Sequence, residues 1–289
     1  RYTIVHVNIP YHNGAAVLKT AKNSGVPVRI YHIHCPKRED TLKTKLKSDI
    51  YTSRCVNNAT DYLSCSHLAA STLFGKKKYC VLHNAIDAPK YVFNEEKRAQ
   101  LRDEYSINNA FVVGAVCRID KLKNPFFLVD TFGEIKKRES KAKLVWLGSG
   151  DLDEEVKQYA NKKGLKDDCI FLGSRTDVND WYSAMDVLLF PSTLEGLGMV
   201  LIEAQTSGLM CYTSENVSRE TDLTGLVHYA NLNDGASKWA ETILKQAKDY
   251  RRVSRIREVT EAGYNIASLK DDLGSIYEQC VRLKYKEND

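Results

Sequence analysis

The feature that most limits what this chain can fold into is an alternation: short β-branched runs trade places with segments of helical period along most of its length. Alternation of that kind predicts βαβ units, because two parallel strands need a crossover, and an amphipathic helix supplies one while covering a face of the sheet. In the first part, strands are expected at 3–7, 28–33, 62–65 and 79–82. A helix at 15–24 lies between the first two, stopped by Gly25, and Pro27 opens the next strand. Around 83–94, Asn84, Asp87 and Pro89 bring turn chemistry ahead of a charged helix at 95–104, and the domain boundary is placed there. Beyond it the pattern is cleaner, with strands at 111–117, 143–147, 170–172, 187–190 and 210–213 and helices at 125–138, 153–163, 178–184 and 198–207. This predicts a full doubly wound domain. Helical patterns at 236–248 and 269–283 follow, the second long enough to reach back across the first domain. The expected architecture is α/β: a partial Rossmann-like domain at 1–88, a complete one at 89–265 and a returning helix at 266–289.

A length of 289 residues suits two domains of roughly 150 residues each. With 43% hydrophobic and 27% charged residues the chain is neither disordered nor fibrous. No apolar run approaches the roughly 20 residues of a membrane-spanning helix, and the start Arg1-Tyr2-Thr3-Ile4-Val5 lacks signal-peptide character, so a cytoplasmic place is expected. Eight cysteines (Cys35, Cys55, Cys65, Cys80, Cys117, Cys169, Cys211, Cys280) form no C-x-x-C pair and no metal-ligand grouping; buried free thiols are expected, and no metal site. The net charge of +5 is mild, and the lysine-rich patches at 76–78, 136–138 and 162–163 lack interleaved aromatics, which argues against nucleic acid. Two readings of those patches stay open: solvated surface, or attraction to phosphorylated substrates or an anionic membrane face.

In an open parallel sheet, ligands bind at the loops leaving the carboxyl ends of strands. Three such loops are informative. The first, Arg118-Ile119-Asp120-Lys121-Leu122-Lys123-Asn124, carries two cations, Arg118 and Lys123, suited to a diphosphate that gains charge as it departs; a solvated basic loop is the equal alternative. The second, Gly148-Ser149-Gly150, permits close backbone approach. Its neighbour Asp151-Leu152-Asp153 imitates a D-x-D metal motif, but acidic residues are expected at a helix start, and the structural reading is preferred. The third runs from Phe190 to Ala204 as strand, glycine loop and helix start, whose free amides and dipole face an anion. Glu195 lies in that loop. Glu203 sits more than a turn into an apolar helix, where a solvated glutamate fits poorly and a carboxylate accepting two hydrogen bonds from a ribose diol fits well.

Glu195 and Glu203 form E-x7-E in a Pro191-Ser192…Glu195-Gly196-Leu197-Gly198 setting, and Arg118 and Lys123 form R-x4-K. Together with Phe171-Leu172-Gly173, Ala184-Met185-Asp186-Val187 and Asn84-Ala85-Ile86-Asp87, these resemble the motifs of retaining family 4 glycosyltransferases of GT-B architecture, nearest to bacterial-type enzymes that build capsular or exopolysaccharide. The resemblance covers nearly the whole chain from His6 onward. It implies Glu203 on the ribose, Glu195 with the backbone of Gly196, Leu197 and Gly198 on the donor sugar and its phosphates, and Arg118 and Lys123 on the diphosphate. Arg175 falls where the family places backbone contacts to the base. Tyr31-His32-Ile33-His34 resembles the family's strand-end H-S-H, from which a histidine reaches the donor sugar; His34 is preferred and His32 is next, a structural histidine being the alternative.

The implied reaction moves a hexosyl unit from a nucleotide diphosphosugar, expected to be UDP-linked, to a glycan or lipid-linked acceptor. The configuration is retained by same-face attack, and the leaving phosphate takes the acceptor proton. No cofactor, metal or dedicated nucleophile is demanded, and peripheral contact with the inner face of a membrane is compatible with it. Three departures qualify the resemblance. Cys117 stands where the family has Gly, a side chain that would crowd a pyrophosphate. Ala85 replaces the Gly of N-G-I-D, and the family's first strands and Gly-rich acceptor loop have no counterpart before His6, so the acceptor half is expected to be truncated. Two rivals follow: a non-catalytic nucleotide-sugar-binding protein or fragment lacking the acceptor site, and a GT-B epimerase acting on the donor itself.

Overall fold

The computed structural model describes residues 2–9, 11–34 and 42–286; Cys35 lies outside them. The chain divides into two compact units, one running to Ile86 and resuming at Gly263, the other Asp87–Ala262.

Unit 1 begins β1 (Ile4–Val7), α1 (Tyr11–Asn23), β2 (Val28–Ile33), α2 (Leu42–Asn58), β3 (Asp61–Ser64), α3 (His67–Phe74) and β4 (Cys80–Val81). The strands are parallel in the order β1-β2-β3-β4. Strand β2 is apolar and buried at Val28, Ile30, Tyr31 and Ile33, as a strand covered on both faces requires. On one face Val7, Tyr31 and Ile33 pack with Leu18 of α1, Cys55 of α2 and Ala69, Ala70 and Phe74 of α3. Ser66 opens α3, its hydroxyl accepting from Ala69 N at 3.1 Å.

Unit 2 contains α4 (Glu95–Glu104), β5 (Val112–Val116), α5 (Pro125–Arg138), β6 (Lys143–Leu147), α6 (Asp153–Lys162), β7 (Cys169–Gly173), α7 (Val178–Ala184), β8 (Val187–Phe190), α8 (Met199–Thr206), β9 (Met210–Ser214), β10 (Val227–Ala230), α9 (Gly235–Ala247) and α10 (Ile256–Glu261). Its parallel sheet has the order β10-β9-β8-β5-β6-β7. The first strand, β5, lies between β6 and β8, so the winding reverses there, and the crevice of the unit falls outside the carboxyl ends of β5 and β8. Trp146, Phe132 and Trp239 fill one face, Trp181, Tyr182 and Leu201 the other. Each tryptophan is fully buried; at roughly 25 cal/mol per Å² over about 200 Å², each contributes about 5 kcal/mol before entropy is charged against it.

Asp186, at the entry to β8, holds the opposite end of this sheet. Its carboxylate accepts from Val112 N (2.7 Å), Arg98 (2.6 Å) and Arg102 (3.0 Å). Arg98 and Arg252 also donate to carbonyls at the end of α7, at Ser183 and at Met185 just beyond it, where cations complement the helix dipole. Burial pushes the Arg252 guanidinium down to about 9.

The last helix, α11 (Ile266–Lys286), belongs to unit 1. Leu269, Leu273, Ile276, Tyr277 and Val281 form a stripe that packs on Val28, Ile30, Leu63 and Leu82, the face of the sheet left open by α1 to α3. Where the chain leaves and re-enters the unit, Ile86 N donates to Tyr264 O (2.9 Å) and Ile266 N to Ile86 O (2.8 Å). Among the described cysteines, Cys55, Cys65, Cys211 and Cys280 are buried and Cys117 and Cys169 partly so; Cys80 corrects the expectation, being exposed on the two-residue edge strand β4. No helix among the described residues is long and apolar enough to cross a membrane.

Candidate functional site

The loops after β5 and β8 are bound to each other at the reversal point. Leu122 O accepts from Thr193 N (2.7 Å) and from the Ser192 hydroxyl (2.9 Å). Beside this backbone seam the Lys123 ammonium pairs with the Glu195 carboxylate, each side chain about four-fifths buried, and the ammonium also stands 5.0 Å over the Phe190 ring. Asp120 fixes the turn that presents Lys123: one oxygen accepts from Leu122 N (3.0 Å) and Lys123 N (3.2 Å), the other from Arg118 (2.9 Å). Arg118 is otherwise exposed. Thus Lys123 and Glu195 come together, while Arg118 is linked to them only through Asp120.

The Gly148-Ser149-Gly150 loop packs against this same turn. Gly148 has φ +127°, and a Cβ there would lie 2.1 Å from Cys117 O; one on Gly150 would lie 2.4 Å from Ile119 O. Asp153 accepts from Gly150 N at 3.2 Å, the helix-start role expected of it. Cys117 packs against apolar residues of both faces of the sheet, and burial pushes its thiol up to about 12.

Gly198, at φ +66°, starts α8. A Cβ there would lie 3.4 Å from Glu195 Cγ, so glycine lets Glu195 fold over the helix start. The backbone N–H groups of Glu195, Gly196, Leu197 and Gly198 have no hydrogen-bond partner among the described residues, the condition of an anion-receiving helix start. One turn further, Glu203 is mostly buried. The Tyr182 hydroxyl donates to its Oε2 at 2.7 Å, and the Tyr91 phenol stands close enough to act on the same carboxylate. Burial raises the Glu203 carboxyl above the ordinary range, and the two phenols pull it partly back. Arg175 forms a two-pronged pair with Asp177 (2.7 and 2.6 Å) and lies 6.0 Å over the Trp181 ring, next in sequence to Tyr182.

In unit 1, His34 at the end of β2 has Asn84 Oδ1 at 2.9 Å from Nδ1 and Asn8 Oδ1 at 3.1 Å from Nε2. His32, one pleat earlier on the same face, is buried, and its Nδ1 lies 3.2 Å from Nε2 of His6. Burial first, then the neighbouring imidazoles, drive His32 down to about 3, so it is neutral near pH 7. Sequence reading did not find Tyr91, Tyr182, Asp120, Asn8 or Asn84 as supports of these groups.

Residues 110–249 match the family described as glycosyl transferases group 1. The EpsF protein of Bacillus subtilis (strain 168), which carries a glycosyltransferase name, is 31% identical over 255 residues, 85% of this chain and 66% of that protein. Residues 110–249 thus carry a glycosyl transferases group 1 domain. Also similar to the chain is the Escherichia coli UDP-Gal:alpha-D-GlcNAc-diphosphoundecaprenol alpha-1,3-galactosyltransferase, 27% identical over 230 residues, 74% of this chain and 58% of that enzyme. The chain thus spans less than two thirds of the length of either curated relative, 66% and 58%. Among solved structures, Anabaena HepE in complex with UDP superposes with a TM-score of 0.81 at 18% identity, over 96% of this chain and 79% of HepE. The fold of the chain is therefore GT-B.

Proposed function

We propose that the chain binds a UDP-linked sugar on unit 2 and serves a retaining transfer of its hexosyl group to a glycan or lipid-linked acceptor. The observation that carries this reading is the reversal point of the unit 2 sheet, where Lys123 and Glu195 pair beside four unpartnered amides and one turn of helix from Glu203. Glu203 accepts the ribose diol. The amides of residues 195–198 and the start of α8 take the diphosphate, and Lys123 leaves Glu195 to join it, so that the charge growing on the departing UDP is met by fixed donors. Glu195, freed, accepts hydroxyls of the sugar. Arg118 swings from Asp120 to the outer phosphate, and the backbone beside Arg175 borders the base. The acceptor attacks from the face the phosphate leaves, and the departing phosphate takes its proton. His34 is assigned to transfer rather than to nucleotide binding, with His32, buried and neutral, supporting it.

Support for uridine and for a lipid-linked acceptor comes from the company the chain keeps: HepE is known in complex with UDP-glucose, and the Escherichia coli relative is named for a diphosphoundecaprenol acceptor. An acceptor of that kind would bring the chain to the inner face of a membrane as a peripheral partner. The test is incubation with UDP-hexoses and undecaprenyl-diphosphate-linked or free glycan acceptors. Acceptor-dependent transfer that keeps the anomeric configuration is the expected result. UDP-sugar binding without transfer would favour a non-catalytic binder, and an altered free sugar without acceptor an epimerase.

A further inference from the structure

The histidines of unit 1 stand in series, and the series begins on the C-terminal helix. The Tyr277 hydroxyl lies 2.7 Å from His6 Nδ1, and His6 Nε2 lies 3.2 Å from His32 Nδ1. The rings follow the same path: Tyr277 meets His6 edge-on at 5.8 Å, His6 stacks on His32 at 5.2 Å, and His32 lies against His34 at 4.1 Å. At the far end, Nε2 of His32 is buried and has no partner among the described residues.

Burial lowers His6 as well as His32, so both imidazoles are neutral near pH 7 and each carries a single N–H. In such a series the choice at one ring dictates the next. If Tyr277 donates to Nδ1 of His6, the His6 proton sits on Nε2 and is donated to Nδ1 of His32, and His32 must keep its own on Nε2. His6 is the one partner of the Tyr277 hydroxyl among the described residues, so the phenolic hydrogen has its acceptor there.

We propose that Tyr277 is a positioning residue: acting through His6, it fixes His32 as the Nε2–H tautomer and so holds the ring against which His34 rests. The inference builds on the assignment of His34 to transfer. His34 then has an asparagine side-chain amide within hydrogen-bond distance of each ring nitrogen, Asn84 at Nδ1 and Asn8 at Nε2, and His32 against one face. The returning helix α11 thereby does more than cover the sheet: it supplies the hydroxyl that sets the series.

Tyr277→Phe removes only the oxygen and keeps the edge-on ring. Long-range proton–nitrogen spectra of the chain labelled with nitrogen-15 histidine read each tautomer directly. In the native chain at pH 7, His6 and His32 should each show a protonated Nε2 and a bare Nδ1. In Tyr277→Phe their nitrogens should shift toward mixed-tautomer values and the His34 signals should move with them, while UDP affinity stays the same. Turnover of UDP-glucose, followed by UDP release, should lose roughly tenfold in kcat at unchanged KM, the mark of lost orientation. A native chain protonated at Nδ1 of either ring, or His6 and His32 nitrogens unmoved by Tyr277→Phe, overturns the proposal, as does full kcat in Tyr277→Phe when His34→Ala abolishes turnover. Full turnover in His34→Ala instead sinks the assignment of His34, and the spectra still decide the tautomer.

Discussion

The ammonium of Lys123 is paired with the carboxylate of Glu195, joining the loop after β5 to the loop after β8 where the strand order reverses. Each group neutralises the other in the free chain, and an arriving diphosphate offers Lys123 a denser anion. The exchange predicts opposite behaviour for the two residues. Lys123→Ala should weaken UDP binding roughly 10- to 100-fold, the worth of a charge-assisted hydrogen bond. Glu195→Gln should hold UDP affinity within about threefold, or tighten it, yet lower transfer about 100-fold or more. Calorimetry and turnover measure the two; equal loss of UDP binding in both variants would contradict the exchange.

Tyr182 holds the Glu203 carboxylate by a hydrogen bond, with the Tyr91 phenol nearby from a separate stretch of chain. Removing either hydroxyl leaves the ring in place but frees the carboxylate to turn. Tyr182→Phe should weaken UDP binding roughly 3- to 10-fold, about 1 kcal/mol for its hydrogen bond, and Tyr91→Phe by less. The same variants compared by titration with uridine and with inorganic diphosphate should lose affinity for the first and keep it for the second.

Acidity should act through Glu203. A carboxylate that accepts a diol must be ionised, and burial has raised this one above its ordinary value of 4.5. UDP affinity should therefore fall as pH is lowered through that raised value, by up to about tenfold per pH unit, and the fall should set in at a higher pH than an ordinary glutamate would give. The native chain also holds this proton more tightly than the unfolded chain does, so the stability it contributes is present at low pH and lost as pH rises through the raised value. Calorimetric titration across pH, referenced to Glu203→Gln to remove the titration of UDP itself, checks the sign: the difference between the two proteins should shrink toward acid.

Asp186 anchors Arg98, Arg102 and the amide of Val112, far from the ligand loops. Asp186→Asn leaves Arg102, 6% exposed, without its counter-charge. The expected cost is about 3–5 kcal/mol of unit 2 stability, read from urea unfolding, with UDP affinity unchanged in the protein that remains folded.

The sequence told most where one short stretch carries a whole device. Arg118, Lys123, Glu195 and Gly198 each lie in a loop or helix start that follows a strand, so strand ends led to them, and Glu203 was marked by the apolar helix around it. Supports made by distant residues left no such mark. Tyr277 and His6 are 271 positions apart, Tyr182 and Glu203 21, and neither tyrosine differs locally from a core aromatic. Helix α2 escaped detection because its apolar stripe is broken: Cys55 is buried, but Leu46 and Ile50 face solvent among lysines. Strand β10 escaped because it is an edge of four residues, mostly half-buried, with a weak alternation.

The central claim is that unit 2 is a uridine diphosphate site built around Glu203. The most direct test is calorimetric titration of the chain with UDP, GDP and ADP, repeated on Glu203→Ala. The account predicts that UDP binds in preference to the other two and that the substitution removes most of that affinity. Binding of none of the three, or UDP binding untouched by Glu203→Ala, would contradict it.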